Sequence, residues 1–303
     1  MSKVADIIKG YAGKTTGVLG VGYKNLLNGD EFYLNGDTPF PSASVFKVPV
    51  LIELFNRVDK GEISLDSVVE LTEDSFSVGS GLLSKLSPGI KLFLRDYATL
   101  MMIISDNTAT DYIVRLLGKD SIRAMIASMG IKNTTVDYTC NELILAGWNK
   151  PIDSKWPQIR KYMEEGEIER NSGMYRDRNV TNNWTTPWDM TEMFSQIYHH
   201  KILTPKACDE MMGIMERCDT NRRLPYFLPK AGPNPVKKVI HKTGTLFKLA
   251  NDAGIIVSEK QTYVLSVFYN GFDASDAEKE HMGVSFGERL IAEMSRDVYA
   301  ALH

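Results

Sequence analysis

The sequence of 303 residues has little of several features that mark large classes of protein. Its three cysteines are few and odd in number, which gives no disulfide framework and favours a reducing compartment. Its five histidines show neither an H-E-x-x-H motif nor clustered Cys/His spacing, so the sequence predicts no metal and no cofactor. The longest apolar run, near residues 100–104, is far too short to cross a bilayer as a helix.

The charge of the chain gives equally little indication of a binding partner. The formal net charge of -3 and the absence of a Lys/Arg-rich stripe predict no nucleic-acid partner and no membrane surface. Residues 1–9 read as the start of an amphipathic helix and lack the apolar stretch and cleavage site of a secretory leader. We therefore expect a cytoplasmic protein, with a secreted protein whose leader has been removed as the alternative.

Three short motifs are present, and they occur in a fixed order. An S-x-x-K motif occupies residues 44–47, an S-D-N motif residues 105–107, and a K-T-G motif residues 242–244. Each tripeptide or tetrapeptide can arise by chance, but the ordered set of three is far rarer. The triplet indicates an acyl-transfer site with a serine nucleophile.

The spacing of the first motif suits nucleophilic catalysis. A serine hydroxyl needs a base within hydrogen-bond reach, and side chains at i and i+3 share one face of a helix. Lys47 is therefore the predicted base for Ser44. It must be neutral to accept a proton, and burial together with a neighbouring cation such as Lys242 lowers a lysine pKa.

The residues after Ser44 predict a helix over 42–60, because apolar side chains recur along 48–55 before a Lys60-Gly61 stop. Ser44 then lies near the helix N-terminus, where unpaired amides and the positive end of the dipole favour an oxyanion. Pro49 is tolerated because it falls close to the first turn.

The chain resembles the class A β-lactamases, within the penicillin-recognising serine hydrolases. Beyond the three motifs, the resemblance covers residues 95–109, residues 185–190 and the pair at 251–252. It can be followed through most of residues 15–295, with 145–183 as the exception.

The resemblance implies catalytic roles for four residues. Ser44 is the acylated nucleophile and Lys47 its proton partner, while Ser105 passes a proton to the leaving nitrogen. The backbone N–H groups of Ser44 and Thr245 form the oxyanion hole.

The resemblance also implies a substrate that carries a carbonyl and a carboxylate. Asn107 would bind the amide of the acyl side chain, and Lys242 and Thr243, followed by Gly244, would hold the carboxylate. Arg223 or its neighbour Arg222 would add a second cation for that carboxylate; a surface or structural ion pair is the alternative.

One departure from the family concerns hydrolysis of the acyl-enzyme. Class A enzymes activate the deacylating water with the glutamate of an E-x-x-L-N segment, and residues 140–144 here read C-N-E-L-I. Cys140 replaces the glutamate and Ile144 replaces the asparagine. Glu142 could substitute if the loop were shifted in register, and an exposed loop carboxylate is the alternative for it.

A charged insertion follows, near residues 147–180. Two tryptophans and alternating charge favour an ordered lid with a short helix near 154–165, and such a lid could supply an acid. The candidate acids in the insertion are Glu164, Glu165, Glu169 and Asp177.

Periodicity predicts an α+β fold, in which an antiparallel sheet flanked by helices lies beside an inserted all-helical lobe. Residues 1–40 and 188–303 would form the α/β lobe and 41–187 the helical lobe, with the motifs at the seam. Strands are predicted within 15–40 and over 236–245, 252–259 and 262–270; helices are predicted over 94–106, 109–117, 120–129, 187–200, 204–218 and 280–301.

We therefore predict a serine hydrolase that forms an acyl-enzyme on Ser44 and hydrolyses β-lactams. An esterase, amidase or D-amino-acid peptidase on the same scaffold is one alternative. A β-lactam-binding protein that acylates without efficient turnover is the other.

Overall fold

The computed structural model describes residues 3–166, 173–177, 179–276, 278 and 283–303. Its centre is a five-stranded antiparallel sheet built from both ends of the chain, as the alternating patterns predict. The strands are β1 (Val18–Asn25), β2 (Glu31–Leu34), β7 (Lys238–Leu246), β8 (Leu249–Val257) and β9 (Thr262–Asn270). Their order is β2-β1-β9-β8-β7, so the strand that carries the K-T-G motif lies at one edge.

Helices cover both faces of this sheet, which is why β8 and β9 are buried along nearly their whole length. On one face α1 (Lys3–Ala12) packs against the closing helix α10 (Gly283–Leu302). On the other face lies α8 (Pro187–Tyr198). The first part of the predicted closing helix, 280–282, lies outside the described residues.

A second group of helices surrounds α2 (Lys47–Asp59), which is buried on every side over residues 47–55. A helix that is buried on every side belongs in the middle of a packed group rather than on a surface. No helix among the described residues is long and apolar enough to cross a membrane. The helices packed against α2 are α3 (Leu94–Ile103), α4 (Asn107–Leu117), α5 (Lys119–Ser128) and α9 (Pro205–Met215).

The structure differs from the sequence-based prediction in two places near the site. The helix predicted over 42–60 begins as a 3-10 turn at Ala43–Phe46 and continues as α2. Residues expected to form a loop are helix α6 (Cys140–Gly147), whose N-terminus has a capping box formed by Thr139 and Glu142. That T-x-x-E pattern was the sequence signal for α6.

Short elements connect these layers. The lid insertion contains α7 (Trp156–Glu165), close to the predicted short helix. A two-residue ladder joins β3 (Phe40–Pro41) to β6 (Trp184–Thr185), near the predicted lobe boundaries, and β4 (Val68–Glu70) pairs with β5 (Lys91–Phe93). The α+β fold is confirmed, while the division into two lobes stays a prediction.

Candidate active site

Ser44 lies in the 3-10 turn that precedes α2, at the floor of a cavity. Two asparagines hold the backbone before it. Asn251 Nδ2 donates to Pro41 O at 2.9 Å and to Ser42 O at 3.2 Å, and Ser42 N donates to Asn183 O at 2.8 Å. Ala43 has a φ of 45°, which is unusual for a residue other than glycine and is sustained by these contacts. The turn is thereby fixed with Ser44 facing the cavity.

Gly244 allows strand β7 to approach this turn closely. A Cβ atom at this position would lie 2.6 Å from Ser42 O and 3.1 Å from Ser44 N, and the first distance is too short for any real contact. The glycine of the K-T-G motif is therefore required by proximity rather than by its own φ. This approach brings Thr245, on the same edge strand, beside the turn of Ser44. An oxyanion hole built from the N–H groups of these two residues requires such an arrangement.

Lys47 is fully buried and contacts the S-D-N motif. Its Nζ donates to Ser105 O at 2.8 Å, to Ser105 Oγ at 3.0 Å and to Asn107 Oδ1 at 2.9 Å. Burial lowers the pKa of Lys47, because a desolvated ammonium is disfavoured relative to the neutral amine. Burial therefore shifts Lys47 toward the neutral amine, the form that can accept a proton, while its Nζ here donates to three oxygens.

The S-D-N motif forms a sharp turn between α3 and α4. Ser105 adopts a left-handed φ of 58°, and buried Asp106 accepts from Leu82 N at 2.6 Å, Leu83 N at 2.9 Å and Ala109 N at 2.9 Å. Asp106 thus caps α4 and anchors the neighbouring loop, while Ser105 is free to face the cavity.

Lys242 approaches the same serine from the sheet. Its buried Nζ donates to Ser105 Oγ at 3.2 Å and to Thr243 O at 2.8 Å. Burial lowers its pKa to about 7, and Lys47 acts in the same direction whenever its own amine is protonated. The structure therefore brings all three motifs together, and Lys47 and Lys242 both donate hydrogen bonds to the hydroxyl of Ser105.

Arg223 lies behind β7 and is fully buried. Its guanidinium donates to Gly244 O at 2.8 Å, to Asn251 O at 2.6 Å and to Thr245 Oγ1 at 2.6 Å, and it forms an ion pair with Glu288 at 3.2 Å. These contacts correspond to the structural ion pair considered above and connect Arg223 to the cavity only through Thr245. Its direct binding of a carboxylate stays a prediction.

The cavity above Ser44 has a volume of about 290 Å³. Sequence analysis missed Ser80 and Thr220, which also line it. Ser80 Oγ donates to Ser105 O at 2.8 Å, and the glycine-rich run at 77–81 was the signal for a tight loop here. The predicted site residues that line the cavity are Ser44, Ser105, Asn107, Thr243 and Thr245.

Cys140 and Ile144, which the resemblance aligns with the family's glutamate and asparagine, both line the cavity. Cys140 N donates to buried Asp111 at 2.6 Å, which fixes the start of α6. Burial raises the pKa of the Cys140 thiol, although the charge of nearby Lys47 opposes this shift. A neutral thiol therefore lines the cavity at the residue that the resemblance aligns with the family's glutamate.

Glu142 does not line this cavity. Its Oε2 accepts from Thr139 N at 2.7 Å and from Lys119 Nζ at 2.8 Å, so the side chain caps α6 and forms an ion pair instead of being a free loop carboxylate. The lid acids Glu164, Glu165 and Asp177 are exposed and do not line the cavity, and Glu169 lies outside the described residues.

Across the described ranges, no group of three or more His, Cys, Asp and Glu side chains could hold a metal ion. The reactive groups that the structure brings together at the site are the serines, the two lysines and the backbone amides near Ser44.

Comparison with known proteins agrees with this geometry. Residues 1–302 match the family described as the β-lactamase enzyme family. The chain is 26% identical over 264 residues to β-lactamase VEB-1 of Pseudomonas aeruginosa, covering 82% of this chain and 76% of that protein.

Two solved structures are similar over almost their full length. A β-lactamase from Sphaerobacter thermophilus has a TM-score of 0.77 at 25% identity, covering 99% of this chain and 96% of that one. A leucine-to-glutamate variant of PBP-A, solved as an acyl-enzyme complex with penicillin G, has a TM-score of 0.75 at 26% identity, covering 98% and 95%. The resemblance to class A β-lactamases is confirmed, and the chain belongs to the β-lactamase enzyme family of serine hydrolases.

Proposed function

We propose that Ser44 opens the ring of β-lactams and carries the resulting acyl group, and that this acyl-enzyme is hydrolysed slowly. The observation that carries the first part is the convergence of Lys47 and Lys242 on Ser105 Oγ, beside Ser44, in one cavity. The second part rests on the thiol of Cys140 in place of a carboxylate.

Acylation needs only groups that line or underlie the cavity. Neutral Lys47 takes the Ser44 proton as Oγ bonds to the lactam carbonyl carbon, and the oxyanion is held by N–H groups of Ser44 and Thr245. The lactam C–N bond then breaks, and the nitrogen takes a proton from Ser105, which regains one from Lys47. The substrate carboxylate is bound by Lys242 and Thr243.

Deacylation lacks an obvious carboxylate base. A water must add to the ester carbonyl and return a proton to Ser44 Oγ, yet the resemblance aligns Cys140 and Ile144 with the family's water-binding residues, and both line the cavity. This substitution favours the second candidate function, a β-lactam-binding protein that acylates without efficient turnover. The similar PBP-A variant was captured as an acyl-enzyme with penicillin G, which makes that compound a suitable probe.

An intact-mass time course with penicillin G tests the proposal. We expect one covalent adduct that forms readily and clears slowly, and Ser44→Ala should form none because the nucleophile is lost. Ser128→Ala, an exposed serine at the end of α5, is the matched control and should behave like the wild type.

Other outcomes of that experiment identify the alternatives. An adduct that survives Ser44→Ala would exclude Ser44 as the nucleophile. Rapid product formation without an adduct would indicate an efficient β-lactamase with a different base. No reaction with penicillin, together with turnover of open-chain esters or amides, would support the esterase, amidase or D-amino-acid peptidase alternative.

A further inference from the structure

Ser80 lines the cavity beside Ser105 and takes no part in the chemistry described so far. Its hydroxyl donates to Ser105 O at 2.8 Å, and the same proton can turn to Asn107 Oδ1 at 3.3 Å. Both oxygens also accept from Lys47 Nζ, at 2.8 Å and 2.9 Å. The hydroxyl of Ser80 and the amine of Lys47 therefore share two acceptors.

The loop that carries Ser80 is fixed against the S-D-N turn. Asn107 N donates to Ser80 O at 2.9 Å, and Asn107 Nδ2 donates to Val78 O at 2.8 Å. The flanking residues Gly79 and Gly81 have φ values of 102° and 117°, and a Cβ atom on Gly79 would lie 2.6 Å from Asn107 Nδ2. Only glycine allows this backbone and this approach, so the position of the Ser80 hydroxyl is closely defined.

The ammonium form of Lys47 has a use for each of its three N–H groups. The three acceptors within hydrogen-bond distance of Nζ are Ser105 O, Ser105 Oγ and Asn107 Oδ1. The neutral amine has two N–H groups and one lone pair, and in the proposed function that lone pair must face the hydroxyl of Ser44. One of the three acceptors then loses the hydrogen bond from Lys47.

The path of the proton decides which acceptor is given up. In the proposed function Ser105 regains a proton from Lys47, so the contact between Lys47 Nζ and Ser105 Oγ has to persist. The acceptor that is given up is therefore one of the two carbonyl oxygens, Ser105 O or Asn107 Oδ1. A carbonyl oxygen cannot donate in return, and leaving it without a partner away from water is unfavourable. These two oxygens are the ones that the Ser80 hydroxyl reaches.

We propose that Ser80 is a positioning residue for acylation: its hydroxyl stays as the donor to the carbonyl oxygen that Lys47 gives up, and it thereby stabilises the neutral amine that accepts the proton of Ser44. This rests on the proposed function, because it takes Lys47 as the base. Bound substrate makes the hydroxyl necessary, since it fills the cavity that Ser80 lines and excludes water that could replace it.

Replacing Ser80 leaves the charges around Lys47 unchanged. The segment of residues 77–83 has no ionisable side chain. The ionisable groups that act electrostatically on Lys47 or are acted on by it are Cys140 of α6, Asp111 of α4, Asp106 of the S-D-N turn and Lys242 of β7. A change in the pH dependence of acylation in a Ser80 variant therefore reports the lost hydrogen bond.

Removal of the hydroxyl affects the two protonation states of Lys47 unequally. The ammonium still serves all three of its acceptors, whereas the neutral amine leaves one carbonyl oxygen without a donor. The neutral form is therefore disfavoured, and the pKa of Lys47, which burial lowers in the wild type, should rise. Each unit of that rise lowers the neutral fraction, and with it the acylation rate, about tenfold on the acidic side of the profile.

The test compares Ser80→Ala with Ser80→Thr, which keeps the hydroxyl, and with Ser87→Ala, at an exposed serine that does not line the cavity. The rate of adduct formation at saturating penicillin G is measured by intact mass at a series of pH values. We expect Ser80→Ala to move the rise of this rate to higher pH, with a loss of about tenfold on the acidic side and none on the alkaline plateau. Ser80→Thr and Ser87→Ala should follow the wild type.

Three results would overturn the inference: a Ser80→Ala profile that superimposes on the wild type, a rate lowered by the same factor at every pH, or an equal loss in Ser80→Thr. The second result would mean that the substitution damages the loop instead of destabilising neutral Lys47. Failure of the proposed function looks different, because the wild type would then form no adduct on Ser44.

Discussion

At the scale of single residues, Cys140 is where the proposed function predicts that the reaction slows. Its thiol lies in the cavity at the start of α6, with a pKa that burial raises, so it neither carries charge nor accepts a proton at neutral pH. In the proposed function, the two buried lysines nearby serve acylation. Nothing comparable among the cavity-lining residues serves the second half-reaction.

A carboxylate placed at this position should therefore accelerate hydrolysis of the acyl-enzyme. We expect Cys140→Glu to accelerate loss of the penicillin adduct while barely changing its formation, and to do so more when paired with Ile144→Asn, which can bind the water. The measurement is the decay of adduct mass after excess penicillin is removed.

Cys140→Gln is the control, since it has nearly the same shape as the glutamate variant without the charge, and it should leave decay slow. If the wild type clears its adduct quickly and Cys140→Glu slows that step, a different group activates the water. The register assigned to residues 140–144 would then be wrong.

Among the secondary-structure elements, the contact between strand β7 and the 3-10 turn of Ser44 sets the geometry of the site. β7 is an edge strand, so the N–H and C=O groups on its outer side are not used by the sheet. Gly244 lets that edge reach the turn, and Arg223 holds the same stretch from behind. The turn and the strand therefore behave as one unit.

We expect Gly244→Ala to separate them. The new methyl group would meet Ser42 O, and because backbone atoms cannot move aside cheaply, β7 must shift away from Ser44. Acylation by penicillin should fall by at least about tenfold, the equivalent of a loss of about 1.4 kcal/mol in transition-state stabilisation.

Gly213→Ala is the matched control in α9. A Cβ atom at Gly213 meets nothing within 4 Å, so this change should leave acylation intact and stabilise the fold by up to about 1 kcal/mol through helix propensity. Equal acylation rates for the two variants would show that the close approach at Gly244 is not needed.

For the whole molecule, the termini of the described chain pack together and cover one face of the sheet. Ile8 on α1 is fully buried in the cluster that includes Leu290, Ile291 and Met294 of α10, and Tyr11 Oη donates to Asp297 Oδ2 at 2.7 Å. Global stability therefore depends on contacts on the sheet face opposite α8, away from Ser44.

We expect Ile8→Ala to lower the free energy of unfolding by about 2–5 kcal/mol, the usual cost of such a cavity, while the folded enzyme is still acylated on Ser44. Chemical denaturation and intact mass measure the two quantities. Ile7→Ala, at a partly buried neighbour on the same helix, should cost less. If the folded Ile8→Ala variant loses acylation in proportion to its loss of stability, the two faces of the sheet are coupled.

Local sequence patterns determined the major elements and the reaction class. Apolar periodicity placed the helices and strands of the sheet and of the α2 group, because burial of one face or of a whole helix leaves a repeat that can be read along the chain. The ordered motifs identified Ser44, Lys47, Ser105 and Lys242, since their chemistry depends on side-chain type and short spacing.

Only the tertiary structure decided which side chains from distant parts of the sequence are in contact. The T-x-x-E cap of α6 was visible in the sequence, but the fact that Cys140 faces the cavity and Glu142 faces Lys119 depends on packing. The burial of Arg223 and the pairing of His241 with Asp252 join residues from separate elements. Such contacts leave no periodic pattern in the sequence, because they depend on how separate elements approach one another in space. The charged side chains of this site meet their partners only through that approach.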